Sequence, residues 1–241
     1  HLQRRLPQQL WLQADLAGQR PPAEHEAAVA EWTSLLEDRT MKSTVLIGRS
    51  WSYLHLGKLA EAEQDLREAA KLSHNKAVGS ASFARLLYRQ GKTELADAQR
   101  VRAEAISKSD AVAMQVLGLI ACERKEFKTA LECFQRSASL PGDPSESQRL
   151  AALVLASGSD DIRNGLQAID NALRACQLTH WQDELSLLTL AAAHAEHGEF
   201  GEARKRTIQA ESIADGELAI RCQQWASSFS QRQPIRNCFS E

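Results

Sequence analysis

At 241 residues, with 43% hydrophobic and 25% charged side chains, the chain can bury a core and stay in water. Aromatics are only 5%, and 29 basic against 31 acidic side chains leave a net charge of −2, a balance that argues against a dedicated nucleic-acid or anionic-membrane surface. No apolar run approaches the ~20 residues of a bilayer span, no signal-peptide pattern opens the chain, and the first residue is His1, so the sequence reads as a piece of a longer polypeptide.

The predicted elements are helices throughout, arranged as hairpins. In chain order the pairs fall at approximately 2–38, 43–73, 77–107, 110–140, 145–177 and 183–213, with a closing helix at approximately 215–231, all in a single domain, 1–241. Pro7 starts or kinks the first helix, while Pro21, Pro22, Pro141, Pro144 and Pro234 fall in junctions or the tail. Ser109-Asp110 and Asp143-Pro144-Ser145 are expected N-caps.

A repeat underlies the hairpins. Ala28, Ala62, Ala96 and Ala130 recur every 34 residues, and the register continues less regularly through Gly165, standing in for the alanine, to Ala203. The alanine marks the closest approach of two helices, where a larger side chain would push them apart. A space-filler follows four residues on (Trp32, Leu66, Phe134, Ile169), and a small residue three further (Ala69, Ala103, Ser137, Ala172, Ala210). Small Ser50, Ala84, Gly118 and Ala191 hold equivalent points on the first helices. Gly57, Gly91 and Gly198 precede the register alanine, where a tight helix exit needs left-handed backbone. The extra residues Thr179-His180-Trp181-Gln182 read as an insertion between the fifth and sixth pairs, with Trp181 plugging the junction or, as the less favoured reading, offering an exposed contact.

These residues resemble the tetratricopeptide (TPR) family, whose 34-residue helix-turn-helix carries an alanine after the turn. The resemblance covers essentially the whole chain and implies an all-α, α-α superhelix (a TPR-like solenoid) of about six antiparallel helix pairs plus a C-terminal capping helix. Arg49, Arg100 and Thr207 depart from it, standing where apolar residues are usual. The stretch from DDIRNGLQAIDNALRAC to GEFGEA, followed by QQWASSFSQRQPIRN, is similar to the closing segment of TPR arrays in bacterial multidomain proteins.

The resemblance implies a non-catalytic scaffold that binds a protein or peptide partner in a concave groove lined by the first helices. Carried over by position, the groove residues are Ile47, Trp51, Leu54, His55, Arg85, Tyr88, Arg89, Gln115, Leu119 and Glu123. The bland alternative makes Trp51 and Tyr88 core filler between pairs. Where some relatives grip a C-terminal carboxylate with lysine and asparagine, this chain has Trp51, Arg85 and Leu119, so that clamp is not reproduced; Arg85 and Arg89 suit an acidic peptide instead.

Two other classes compete. A structural arm would self-associate, and burial of Trp51, Arg85 and Tyr88 would favour it. RNA binding expects a basic inner stripe, which Glu123, Glu184 and Glu196 interrupt. No catalytic, cofactor or metal site is expected. His194 and His197 are three apart without an HExxH pattern, and read as a polar last turn. The five cysteines are odd in number, lack a CxxC, and point to small buried thiols in a reducing, cytoplasmic setting.

Overall fold

A computed structural model describes residues 22–37, 41–72, 76–106, 109–214, 216–236 and 238. They contain twelve helices and no strand: α1 Pro22–Ser34, α2 Lys42–His55, α3 Leu59–Lys71, α4 Lys76–Arg89, α5 Thr93–Ile106, α6 Ala111–Glu123, α7 Phe127–Ala138, α8 Ser145–Ser157, α9 Gly165–Leu178, α10 Glu184–Glu196, α11 Phe200–Glu211 and α12 Gly216–Ser230. The helix expected ahead of residue 21 lies outside the described residues. The all-α architecture of consecutive antiparallel pairs is the one the repeat implied.

The chain forms two compact units, 1–116 and 117–241, divided within α6. In the first, α2 packs on α3 and α4 on α5, with α1 against α2 and α3 against α4. In the second, α8 packs on α9 and α10 on α11, first helix α8 also touches first helix α10, and α12 closes against α11.

The turn inside a pair is built the same way four times. Gly57, Gly91 and Gly198 have φ of 68°, 73° and 87°, and Lys125 takes the same place at 62°. The next amide reaches five residues back: Lys58 to Tyr53, Lys92 to Leu87, Glu126 to Ala121 and Glu199 to His194, at 2.8–2.9 Å. This closure satisfies the carbonyls a helix end leaves bare. Glycine adopts that backbone without strain, whereas lysine has a Cβ that crowds the following carbonyl.

The register alanine opens each second helix, and its amide bonds the carbonyl of the residue four before: Ala62 to Lys58, Ala96 to Lys92, Ala130 to Glu126 and Ala203 to Glu199. In the fifth pair this bond belongs to Ala168, donating to Asn164 at 2.9 Å. Ala168, not Gly165, therefore holds the alanine position, and Ile169 is only half-buried rather than a core filler. The correction moves the extra length. The turn between α8 and α9 spans 158–164, against 56–58, 90–92, 124–126 and 197–199 elsewhere. Gly165 has its own constraint, since a Cβ there would lie 2.8 Å from the backbone of His197.

Helix starts use the expected side chains and two more. Asp110 accepts from Ala113 N at 3.0 Å and Asp143 from Ser145 N at 2.9 Å. Asn164 caps α9 through Gln167 N, and Asp183 caps α10 through Ser186 N.

The polar departures from the repeat have partners. Arg49 donates to both carboxylate oxygens of Asp65 across the α2–α3 pair, at 2.8 and 2.7 Å, and Asp65 is buried. Its guanidinium also lies 5.6 Å from the centre of the Tyr53 ring. Arg100 pairs with Glu104 one turn along α5. Thr207 is fully buried because its hydroxyl donates to Ala203 O at 2.9 Å.

Two outcomes follow. Lys125→Gly relieves the left-handed strain and stabilises the chain by about 0.5–1 kcal/mol, read as a higher urea midpoint. Arg49→Leu leaves a buried, charged Asp65 and destabilises by about 2–3 kcal/mol; in a thermal melt the Arg49→Leu/Asp65→Leu double variant loses less than the single.

Candidate functional site

The ten groove residues divide by depth. Ile47, Trp51, Leu54, Arg85, Gln115 and Leu119 are buried, His55, Tyr88 and Glu123 half-buried, and Arg89 exposed. Trp51 is 2% exposed and its indole N–H donates to Ser82 Oγ at 2.7 Å, so it joins α2 to α4. Arg85 is 4% exposed on α4. The Tyr88 hydroxyl donates to the Asp97 carboxylate on α5. Ile47 to Gln115 belong to the first unit, Leu119 and Glu123 to the second.

Around His55 the first unit gathers positive groups. His25, itself buried, stacks on His55 with ring centroids 5.0 Å apart and planes 17° from parallel. His55 Nε2 is enclosed without a hydrogen-bond partner. Burial first, then the Arg85, His25 and Arg89 charges, hold the His55 imidazole well below its ordinary value of 6.5. It is a neutral ring packed among cations.

A cleft that the sequence did not single out lies in the first unit and shares only Ile47 with the predicted groove. It encloses about 380 Å³ between α2, α3, α4 and α5. Ile47, Leu66, Ala69 and Phe83 supply its apolar part, and Arg67, Lys71, Lys76 and Arg102 its charge, with no acidic lining residue. Arg67 is engaged by Glu63 at 2.5 Å, one turn back on α3. The residues come from four helices of two pairs, a convergence that no single-helix periodicity displays. Nearby α5 buries only Ala96 and Ala103 and leaves Leu95, Val101 and Ile106 at 60%, 56% and 46% exposure.

In the second unit the two tempting histidines turn to one carboxylate. His194 Nδ1 is 2.7 Å from Glu199 Oε2, and His197 Nε2 3.9 Å from Oε1. No group of three metal-ligating side chains occurs among the described residues. Trp181 is half-buried with the Arg206 guanidinium 5.2 Å from its ring centre, so its loop is held against α11. None of the five cysteines is in a disulfide. Burial pushes the Cys176 thiol up to about 12 and Cys222 up to about 11, keeping both protonated and unreactive. No helix among the described residues is long and apolar enough to cross a membrane.

No family model matches the sequence, and no curated protein matches it. Solved structures do match the fold. Yeast Tom70 superposes with a TM-score of 0.65 at 16% identity over 86% of this chain. PilF of Pseudomonas aeruginosa gives 0.57 at 19% identity, covering 79% of this chain and 89% of its own. YrrB, described as a TPR protein with an unusual peptide-binding site, gives 0.51 at 15% identity, covering 80% of this chain and 97% of its own. This chain spans 43% of the Tom70 chain. The fold is TPR-like.

The His55 environment sets a pH dependence. Its folded value is depressed, so on acidification the unfolded chain takes up a proton near 6.5 that the folded chain refuses. Stability is full above 6.5 and falls below it, by at most about 1.4 kcal/mol per pH unit for one proton. Denaturation midpoints between pH 7.5 and 5 should slope more steeply for the wild type than for His55→Gln.

Proposed function

We propose that the chain is a non-catalytic protein-interaction scaffold that holds a peptide or protein partner, and that the first unit makes the contact through the cleft between α2, α3, α4 and α5. The observation that carries this reading is the composition of that cleft: an apolar part for a partner side chain and a rim of Arg67, Lys71, Lys76 and Arg102 for acidic groups beside it. It suits a peptide of mixed apolar and acidic character. The likeness to YrrB supports a peptide-holding role for the fold. The groove read from sequence is the competing surface; with Trp51 and Arg85 buried, its contacts in the first unit fall to His55, Tyr88 and Arg89. That the chain is one module of a larger bacterial protein rests on the sequence resemblance alone.

Self-association is a second reading, favoured by the exposed Leu95, Val101 and Ile106 of α5. The three surfaces separate by experiment, using exposed positions that leave the core alone. In pulldowns from the source lysate, Lys76→Glu/Arg102→Glu is expected to lose a partner that the wild type and Arg89→Glu both retain. Loss with Arg89→Glu alone would restore the groove, and identical partner lists for all three would sink both surfaces. Sedimentation across a concentration series reads the remaining possibility, since a dimer through α5 would be removed by Val101→Glu.

A further inference from the structure

The segment after α12 does not leave the second unit. Arg232 takes left-handed backbone at φ 58°, and Gln233 N bonds back to Ser228 O at 3.0 Å, the same closure that ends the other helices. Pro234 then restricts Gln233 to extended backbone and cannot itself continue a helix. The extended stretch runs back over the ends of α8 and α10. Ile235 packs with Phe200 and Trp225 against a core of Ala191, Ala195, Ala203 and Phe229. Arg236 Nη1 sits 2.5 Å from Glu196 Oε2 and 3.5 Å from Ala156 O in the last turn of α8. The Cys238 thiol is hydrogen-bonded to Ser157 and pushed up by burial. Cations at helix C-termini are favoured by the helix dipole, and here one guanidinium serves two helices.

We infer that residues 233–236, with Cys238, are an intrachain ligand, seated where an extended partner segment bearing an aliphatic residue followed by arginine binds the second unit. Three observations carry this. First, the last turn of α8, a first helix of the repeat, is buried from Val154 to Ser157, and the segment meets it at Ala156 O and Ser157. Second, the seat is complementary to that dipeptide, with an apolar bed for Ile235 and a carboxylate plus a helix-end carbonyl for Arg236. Third, the seat survives the strap's departure. Glu196 keeps Arg163, whose Nε lies 3.1 Å from Oε1 and whose Nη1 donates to Gly158 O at 3.0 Å. Lifting Arg236 therefore strands no buried charge. Its side chain is 35% exposed, so solvent weakens the pair and the segment is exchangeable. Tethering gives it a local concentration of order millimolar, so a competing segment works against that figure.

This deepens the scaffold reading and rests on it, but uses a different unit and a defined probe. The probe is a fluorescent peptide of the chain's own sequence QRQPIRN. With the full chain, anisotropy should show the Ile235→Asp/Arg236→Glu variant binding it at least tenfold more tightly than the wild type. Adding Glu196→Arg should abolish that gain. In the wild type, saturating unlabelled peptide should speed site-resolved alkylation of Cys238 while leaving Cys176 and Cys222 slow, a readout needing no destabilising variant. Equal affinity for variant and wild type, or Cys238 alkylation indifferent to peptide, would overturn the inference and make the segment a fixed strut. Either result leaves the cleft of the first unit to its own pulldown.

Discussion

Helix pairs in this molecule are possible only because one position per pair carries almost nothing. Ala62, Ala96, Ala130, Ala168 and Ala203 are each at 0% exposure, and each opens the helix that leans on its partner. A methyl is the largest group the approach accepts. Where the opposing element comes closer still, even the methyl goes. A Cβ on Gly118 would lie 2.5 Å from the Phe134 ring, and one on Gly48 as close to Trp32. Large rings on one helix thus require bare backbone on the next, and the bulky and the small positions of the repeat are two halves of one constraint.

Once backbones are that close, buried side chains have little room for compromise, and polar ones survive by finding partners within a helix, within a pair or between pairs. Arg49 meets Asp65, Trp51 meets Ser82, and Arg149 meets Glu146 at 3.0 Å with Thr189 3.4 Å away. Arg149 is 1% exposed and Glu146 7%, an ion pair set inside α8. Removing either partner of such a pair strands a charge, whereas apolar residues of similar volume serve as well. Arg49 with Asp65 and Trp51 with Ser82 fix which helices face each other more than they add to stability.

The fold was legible because its constraint is periodic. The alanines, the turn glycines and the caps Asp110 and Asp143 stand at spacings dictated by helix geometry. The register slipped at Gly165 for a related reason. Three residues advance a helix by about 300°, leaving a 60° difference, so GLQAIDNALRAC reads nearly as well from Gly165 as from Ala168. Only the amide bond to Asn164 separates them. The site was less legible. Trp51 and Arg85 belong to residue types that dominate interfaces, but the same types fill seams, and sequence carries no depth. The cleft draws Ile47, Phe83 and Arg102 from three different helices, and the pairing of Glu196 with Arg236 crosses 40 positions of unrelated pattern.

Most bonds described here close over a few residues, within a turn or between a helix and the next. The bond from Arg236 to Ala156 spans 80 residues, twice the 40 between Arg149 and Thr189. In a chain of local contacts, helix hairpins assemble quickly and in almost any order, because little loop entropy is lost at each step. The segment after α12 obeys a different clock. Its seat is made by the ends of α8 and α10 together, so it has nowhere to dock until both are in place.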